Sequence, residues 1–133
     1  MRKIILVSHG MLSQGMADSV KMILGDVETL TWDSLQVGEN PENLYRRIES
    51  DIKKNKDDEF VIITDLFGGS VNKILLNLLK LSKVHILSGM HLGLVLSICV
   101  SHQNEETKDM IRRCIEESMI NVTYANDLLE EVL

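Results

Sequence analysis

Two short stretches of this chain carry side chains that could do chemistry together. One is Ser8-His9-Gly10; the other is Asp65-Leu66-Phe67-Gly68-Gly69-Ser70. An imidazole beside a carboxylate is a held and activated base. The carboxylate accepts the Nδ1–H bond, fixes the tautomer and leaves the Nε2 lone pair facing outward. Such a histidine acts as a general base or as a nucleophile. Paired glycines permit a tight turn, and the helix opened by Gly68-Gly69-Ser70 would present free N–H groups and its positive dipole end to an anion. Nucleophilic imidazole, orienting carboxylate and anion site together suit phosphoryl transfer through a phosphohistidine. That chemistry needs positioning and charge stabilisation more than covalent help.

The pairing of His9 with Asp65 follows from the elements around them. Ile4–Val7 is apolar without alternation, the pattern of a strand buried on both faces, as in a parallel sheet covered by helices. Phe60–Thr64 repeats it. His9 therefore follows one strand and Asp65 follows another. Further strands are expected at Val27–Trp32 and Lys83–Leu87. Between them run helical patterns: Met16, Val20 and Ile23; Leu44, Ile48 and Ile52; Val71, Ile74, Leu75 and Leu78. Ser13, Asn40 and Ser70 are candidate N-caps, Pro41 suits the first helical position, and Gly25 is a candidate C-cap. Leu92–Val100 reads as a short buried helix and Asn104-Glu105-Glu106 as the start of another. Asn121–Tyr124 could form a last short strand.

Strands alternating with helices give an α/β fold with a parallel sheet and right-handed crossovers. Four strands in a small domain suggest the flavodoxin-like order 2-1-3-4. There the first and third strands are neighbours whose onward connections leave on opposite faces. The crevice between their carboxyl ends is the switch point where ligands bind, so the topology itself predicts that His9 and Asp65 meet.

Composition narrows the function classes. The 133 residues read as a single domain, 1–133, with 44% apolar residues to build a core. A net charge of −6 and few aromatics argue against nucleic acid as a partner. Cys99 and Cys114 lack CxxC spacing and read as reduced thiols of a cytoplasmic protein. No signal peptide or membrane-spanning stretch is expected. His85, His91, His102 and Cys99 match no usual metal-ligand spacing. Of these, only His91 follows a strand end, where it could line the cleft. Ser8 lacks the Gly-x-Ser-x-Gly setting of a hydrolase nucleophile. The loops after the first and third strands lack a P-loop lysine, and aromatics to sandwich a flavin are scarce, which disfavours a non-catalytic nucleotide- or flavin-binding domain.

Ile4–Gly10 ending in Ser-His-Gly, together with Thr64–Ser70, resembles the IIA component of the mannose/fructose/sorbose class of the bacterial sugar phosphotransferase system. The resemblance extends over nearly the whole chain, including Gly38-Glu39-Asn40 and Ser88-Gly89-Met90. It implies a dimeric flavodoxin-like protein with an added C-terminal strand, exchanged between subunits. His9 would accept phosphate at Nε2 from the phosphocarrier HPr and pass it to the IIB component, which serves a membrane permease. Asp65 would hold His9 through Nδ1, and Ser70 with Gly68 and Gly69 at the helix start would bind the phosphoryl oxygens. No metal or dissociable cofactor is implied. A related IIA-like component feeds dihydroxyacetone kinase and would share the histidine. Two departures stand out. The family often reads Gly-Gly-Ser-Pro-x-Asn where this chain has the shorter Ser70-Val71-Asn72, and a proline-containing loop is replaced by His91-Leu92-Gly93.

Overall fold

The computed structural model describes residues 1–81, 83–119 and 122–132. Four strands, β1 (Arg2–His9), β2 (Leu30–Leu35), β3 (Glu59–Thr64) and β4 (Val84–Ser88), form a parallel sheet in the order β2-β1-β3-β4. The helices are α1 (Leu12–Leu24), α2 (Pro41–Lys54), α3 (Ser70–Leu75, continued as a 3₁₀ turn over Leu76–Lys80), α4 (Leu92–Cys99), α5 (Thr107–Glu117) and α6 (Ala125–Val132).

The unbroken apolar runs have a simple cause. Successive side chains of a strand point to opposite faces, and both faces here are covered. Ile4, Leu6, Val61 and Ile63 pack with Val20 of α1, Leu94 and Ile98 of α4, and Met110 and Cys114 of α5. Ile5, Val7, Phe60 and Ile62 pack with Leu44, Ile48 and Ile52 of α2 and Val71 and Leu75 of α3. Each such side chain contributes about 1.5–3 kcal/mol by leaving water. Because α1 covers one face and α3 the other, the chain leaves β1 and β3 in opposite directions, which opens the crevice between their ends.

Three expectations need correction. The second strand begins at Leu30, not Val27. Val27 packs on the core before the sheet starts, and its carbonyl accepts the Leu30 N–H at 3.1 Å in a turn. Ser13 does not cap α1; Met11 occupies that position. The Ser13 N–H instead donates to Ser8 Oγ at 2.7 Å, and its own hydroxyl donates to the Asp33 carbonyl at 2.8 Å. Ser8, at the end of β1, thus supplies the capping oxygen. The proposed last strand does not appear among the described residues. No strand is assigned at Val122–Tyr124, which leads directly into α6, while Asn121 lies outside the described residues. Asn40 does cap α2, accepting the Glu42 N–H at 3.0 Å with Pro41 following, and Gly25 closes α1.

Candidate functional site

The switch point brings His9, Asp65 and Ser70 into one hydrogen-bonded row. Asp65 Oδ2 accepts two bonds from His9, one from the backbone N–H at 2.9 Å and one at Nδ1 at 2.8 Å. Its Oδ1 accepts the Leu66 N–H at 2.9 Å. With Nδ1–H donated to a carboxylate, Nε2 carries the lone pair, and it faces Ser70 Oγ at 3.0 Å. The His9 side chain is 41% exposed and that of Asp65 only 8%, so the carboxylate is a buried anchor and the imidazole reaches the surface.

Burial opposes the charge on Asp65, but the bonds from the His9 backbone and ring and from Leu66 outweigh it and hold the carboxyl below its ordinary value. The stability carried by this group is therefore present above its unfolded pKa, about 3.9. It is lost as pH falls through the lower folded value.

The glycines have distinct jobs. Gly68 has φ +79°, a left-handed conformation that turns the chain back after Phe67. Its N–H is already engaged by Asn72 Oδ1 at 3.1 Å, so it shapes the turn rather than offering a donor. Gly69 has an ordinary φ, but a Cβ there would lie 3.3 Å from Cε1 of His9. The ring lies against bare backbone. Ser70 was expected to cap α3, yet Gly69 occupies that position and Ser70 is the first helical residue. Its hydroxyl is left to face Nε2.

The sequence reading missed the support beneath this row. Asn72 is fully buried, and its Nδ2 donates to Ser88 Oγ at 2.6 Å and to Thr64 Oγ1 at 3.3 Å. Thr64 in turn donates to Ser88 at 2.7 Å. Asn72 thereby ties the ends of β3 and β4 to the Gly68 turn. Asn72→Ala takes the Oδ1 acceptor from the Gly68 N–H and removes the amide donor to the Thr64 and Ser88 hydroxyls. Urea denaturation should show a loss of about 1–3 kcal/mol; an unchanged midpoint would mean that the network carries no stability.

The other histidines sit elsewhere. His91 caps α4, its Nδ1 accepting the Leu94 N–H at 3.2 Å. His85 pairs with Glu59 at 3.3 Å near the opposite end of the sheet, and His102 Nδ1 accepts the Asn104 N–H in a loop. Among the described residues no three of His, Cys, Asp and Glu converge as metal ligands. None of the described helices is long and apolar enough to cross a membrane. Beyond the carboxyl ends of β1, β2 and β3, Met11 and Leu12 at the start of α1 and the loop residues Val37, Leu66 and Phe67 are exposed, Phe67 at 84%.

A flavodoxin-like sheet with a carboxylate-held histidine at its switch point defines a class of protein, and comparison with known proteins narrows it. The model of the family described as "PTS system fructose IIA component" matches residues 3–115. The sorbose-specific EIIA component of Lacticaseibacillus casei is 29% identical over 98% of this chain and 93% of its own length. The sorbose-specific EIIA component of Klebsiella pneumoniae is 30% identical over 79% of this chain and 77% of its own. A solved EIIA structure from Streptococcus agalactiae superposes with a TM-score of 0.84, covering 96% of this chain and 99% of that one. At 22% identity it speaks for the fold alone. The chain belongs to the mannose/fructose/sorbose class of IIA components of the sugar phosphotransferase system.

Proposed function

We propose that this protein is a cytoplasmic phosphocarrier in which Nε2 of His9 accepts a phosphoryl group from phospho-HPr and hands it to a IIB component. The observation that carries this reading is the row Asp65–His9–Ser70, with Nδ1 held at 2.8 Å and Nε2 facing a hydroxyl at 3.0 Å. The anionic carboxylate supports the positive charge that develops on the ring as Nε2 attacks phosphorus. The Nδ1 proton stays in place, and the P–N bond of the donor breaks as the new one forms. The Ser70 hydroxyl turns from the lone pair it occupied and donates to a phosphoryl oxygen, with the backbone at Gly69 beside it. Return of the group to an acceptor reverses each step.

Both donor and acceptor are then proteins, and the exposed apolar side chains beyond the same strand ends suit transient docking by such partners. The permease enters only through IIB. The relatives' sorbose specificity belongs to those proteins, and the IIA component would not itself touch the sugar. A homodimer is part of the same proposal.

The test is incubation with enzyme I, HPr and phosphoenolpyruvate. One acid-labile, base-stable phosphoryl group per chain is expected, and adding the cognate IIB should discharge it. An acid-stable phosphate would overturn the phosphohistidine, and discharge to a dihydroxyacetone kinase instead of IIB would overturn the assignment of acceptor.

A further inference from the structure

The Gly38-Glu39-Asn40 stretch takes no part in the chemistry at His9, yet a cluster of charges is built around it. Arg47 of α2 reaches both this stretch and β2. Its Nε and Nη2 donate to Asp33 Oδ2 and Oδ1, both at 3.0 Å, a fork on a carboxylate that fixes direction as well as distance. Nη1 donates to Glu39 Oε2 at 2.7 Å, and Nη2 donates also to the Ser34 carbonyl at 3.2 Å. Each guanidinium nitrogen is thus engaged, and two carboxylates face one cation. Arg47 has no donor left over for a phosphoryl group. Its arrangement is that of a brace.

The brace holds the turn at 36–39. The Glu39 N–H donates to the Gln36 carbonyl at 3.0 Å, Glu39 Oε1 accepts the Gln36 N–H at 3.2 Å, and Gly38 takes φ +78° to make the bend. Glu39 closes the turn, and Arg47 ties Glu39 to Asp33 in the strand. The turn stands beside the strand that carries the histidine. Leu35 is the register partner of His9, and its carbonyl accepts the Gly10 N–H at 2.8 Å. Gln36 Nε2 reaches Met11 Sδ at 3.8 Å. At the tip of the turn Val37 is fully exposed. In the order β2-β1-β3-β4, Val37 follows β2 while Leu66 and Phe67 follow β3, so exposed apolar tips flank the end of β1 on both sides.

We propose that Arg47 is a positioning residue for docking of the phosphodonor protein, holding the turn at 36–39 so that Val37 forms one lip of the docking face. The proposal rests on the phosphocarrier reading above and deepens it. An exposed loop with a glycine at its bend samples several conformations unless it is tied down. A lip already in place spares the complex the entropy of ordering it on contact. None of the bonds of Arg47 goes to His9 or Asp65, so its loss acts on encounter and not on the transfer step.

Rapid-quench phosphorylation of the full chain, with phospho-HPr in excess and its concentration varied, tests the assignment. Arg47→Gln should raise the half-saturating concentration about three- to tenfold at an unchanged limiting rate, the scale of ordering one side chain on contact. Val37→Asp, at a fully exposed residue, should raise it about tenfold in the wild-type background. The same change should matter less in Arg47→Gln, because a lip no longer held has less to lose. Glu39→Gln keeps an oxygen for the Gln36 N–H and weakens only the charge pair, so it should act in the same direction by less. Thermal unfolding checks that the variants are folded, and nitrogen-15 NMR should show the His9 tautomer unchanged in all of them. Should Arg47→Gln fail to fold, Val37→Asp combined with Glu39→Gln gives the same comparison. An unchanged half-saturating concentration, a fall in the limiting rate instead, or a Val37→Asp effect equal in both backgrounds would overturn the brace while wild-type uptake leaves the phosphocarrier reading standing. A wild-type protein that takes no phosphate from phospho-HPr would overturn both.

Discussion

His9→Ala protein, incubated with enzyme I, HPr and phosphoenolpyruvate, takes up no acid-labile phosphate. The expected loss is complete, not partial, because no second imidazole lies at the switch point. His91 spends its Nδ1 on capping α4, and His85 is bound to Glu59 near the opposite end of the sheet. Ser70 cannot substitute as nucleophile. Its hydroxyl would need a base to take its proton, and that base is the imidazole removed. The fold should survive, since the His9 side chain is partly exposed and its backbone N–H still donates to Asp65. Thermal unfolding of the variant should therefore resemble that of the parent. Acid-labile label persisting in a folded His9→Ala protein would move the phosphorylation site and dismantle the mechanism.

The meeting of His9 and Asp65 was legible because it rests on topology. Two doubly buried runs, Ile4–Val7 and Phe60–Ile63, announce central strands, and their neighbours in a 2-1-3-4 sheet follow from the alternation of strands and helices. The edge strand β2 was harder. Thr31 and Trp32 face solvent there, so the apolar pattern fades, and Val27 supplied a misleading hydrophobic signal from outside the sheet. Caps were misplaced for a related reason. Ser8 and Ser13 are both small hydroxyls near a helix start, and sequence spacing cannot say which oxygen reaches which N–H.

Asn72 was illegible in a different way. Buried at the first turn of a helix, it looks from its position like a solvated surface residue. Only the approach of Thr64, Ser88 and Gly68 from three other segments gives its amide partners. The C-terminal end shows the limit of local propensity. Val122-Thr123-Tyr124 is β-prone, but a strand needs a ladder partner. Within this chain the following residues instead take the helical period of Ala125, Leu128 and Leu129.

Asp65→Asn, the smallest change available at the site, should slow phosphoryl transfer by about a hundred- to ten-thousand-fold, the scale seen when an orienting carboxylate is lost from a histidine base. The reason is a shortage of acceptors. The native carboxylate takes three N–H bonds, two from His9 on Oδ2 and one from Leu66 on Oδ1. An asparagine offers one oxygen and one NH₂. If the oxygen faces His9, the Leu66 N–H meets a donor, and the loop toward Gly68 is pushed out of place. If the NH₂ faces His9, Nδ1 must become the acceptor, the proton moves to Nε2, and the nucleophilic lone pair disappears. Either arrangement also removes the negative charge that supports the ring during transfer. Asp65→Ala should be less damaging to the tautomer, because the ring is released instead of being held in the wrong form. Nitrogen-15 NMR of the labelled imidazole distinguishes the cases. Asp65→Asn should enrich the Nε2–H tautomer relative to wild type, and Asp65→Ala should show a mixture. A wild-type tautomer and a wild-type transfer rate in Asp65→Asn would mean that the 2.8 Å contact does not govern the chemistry of His9.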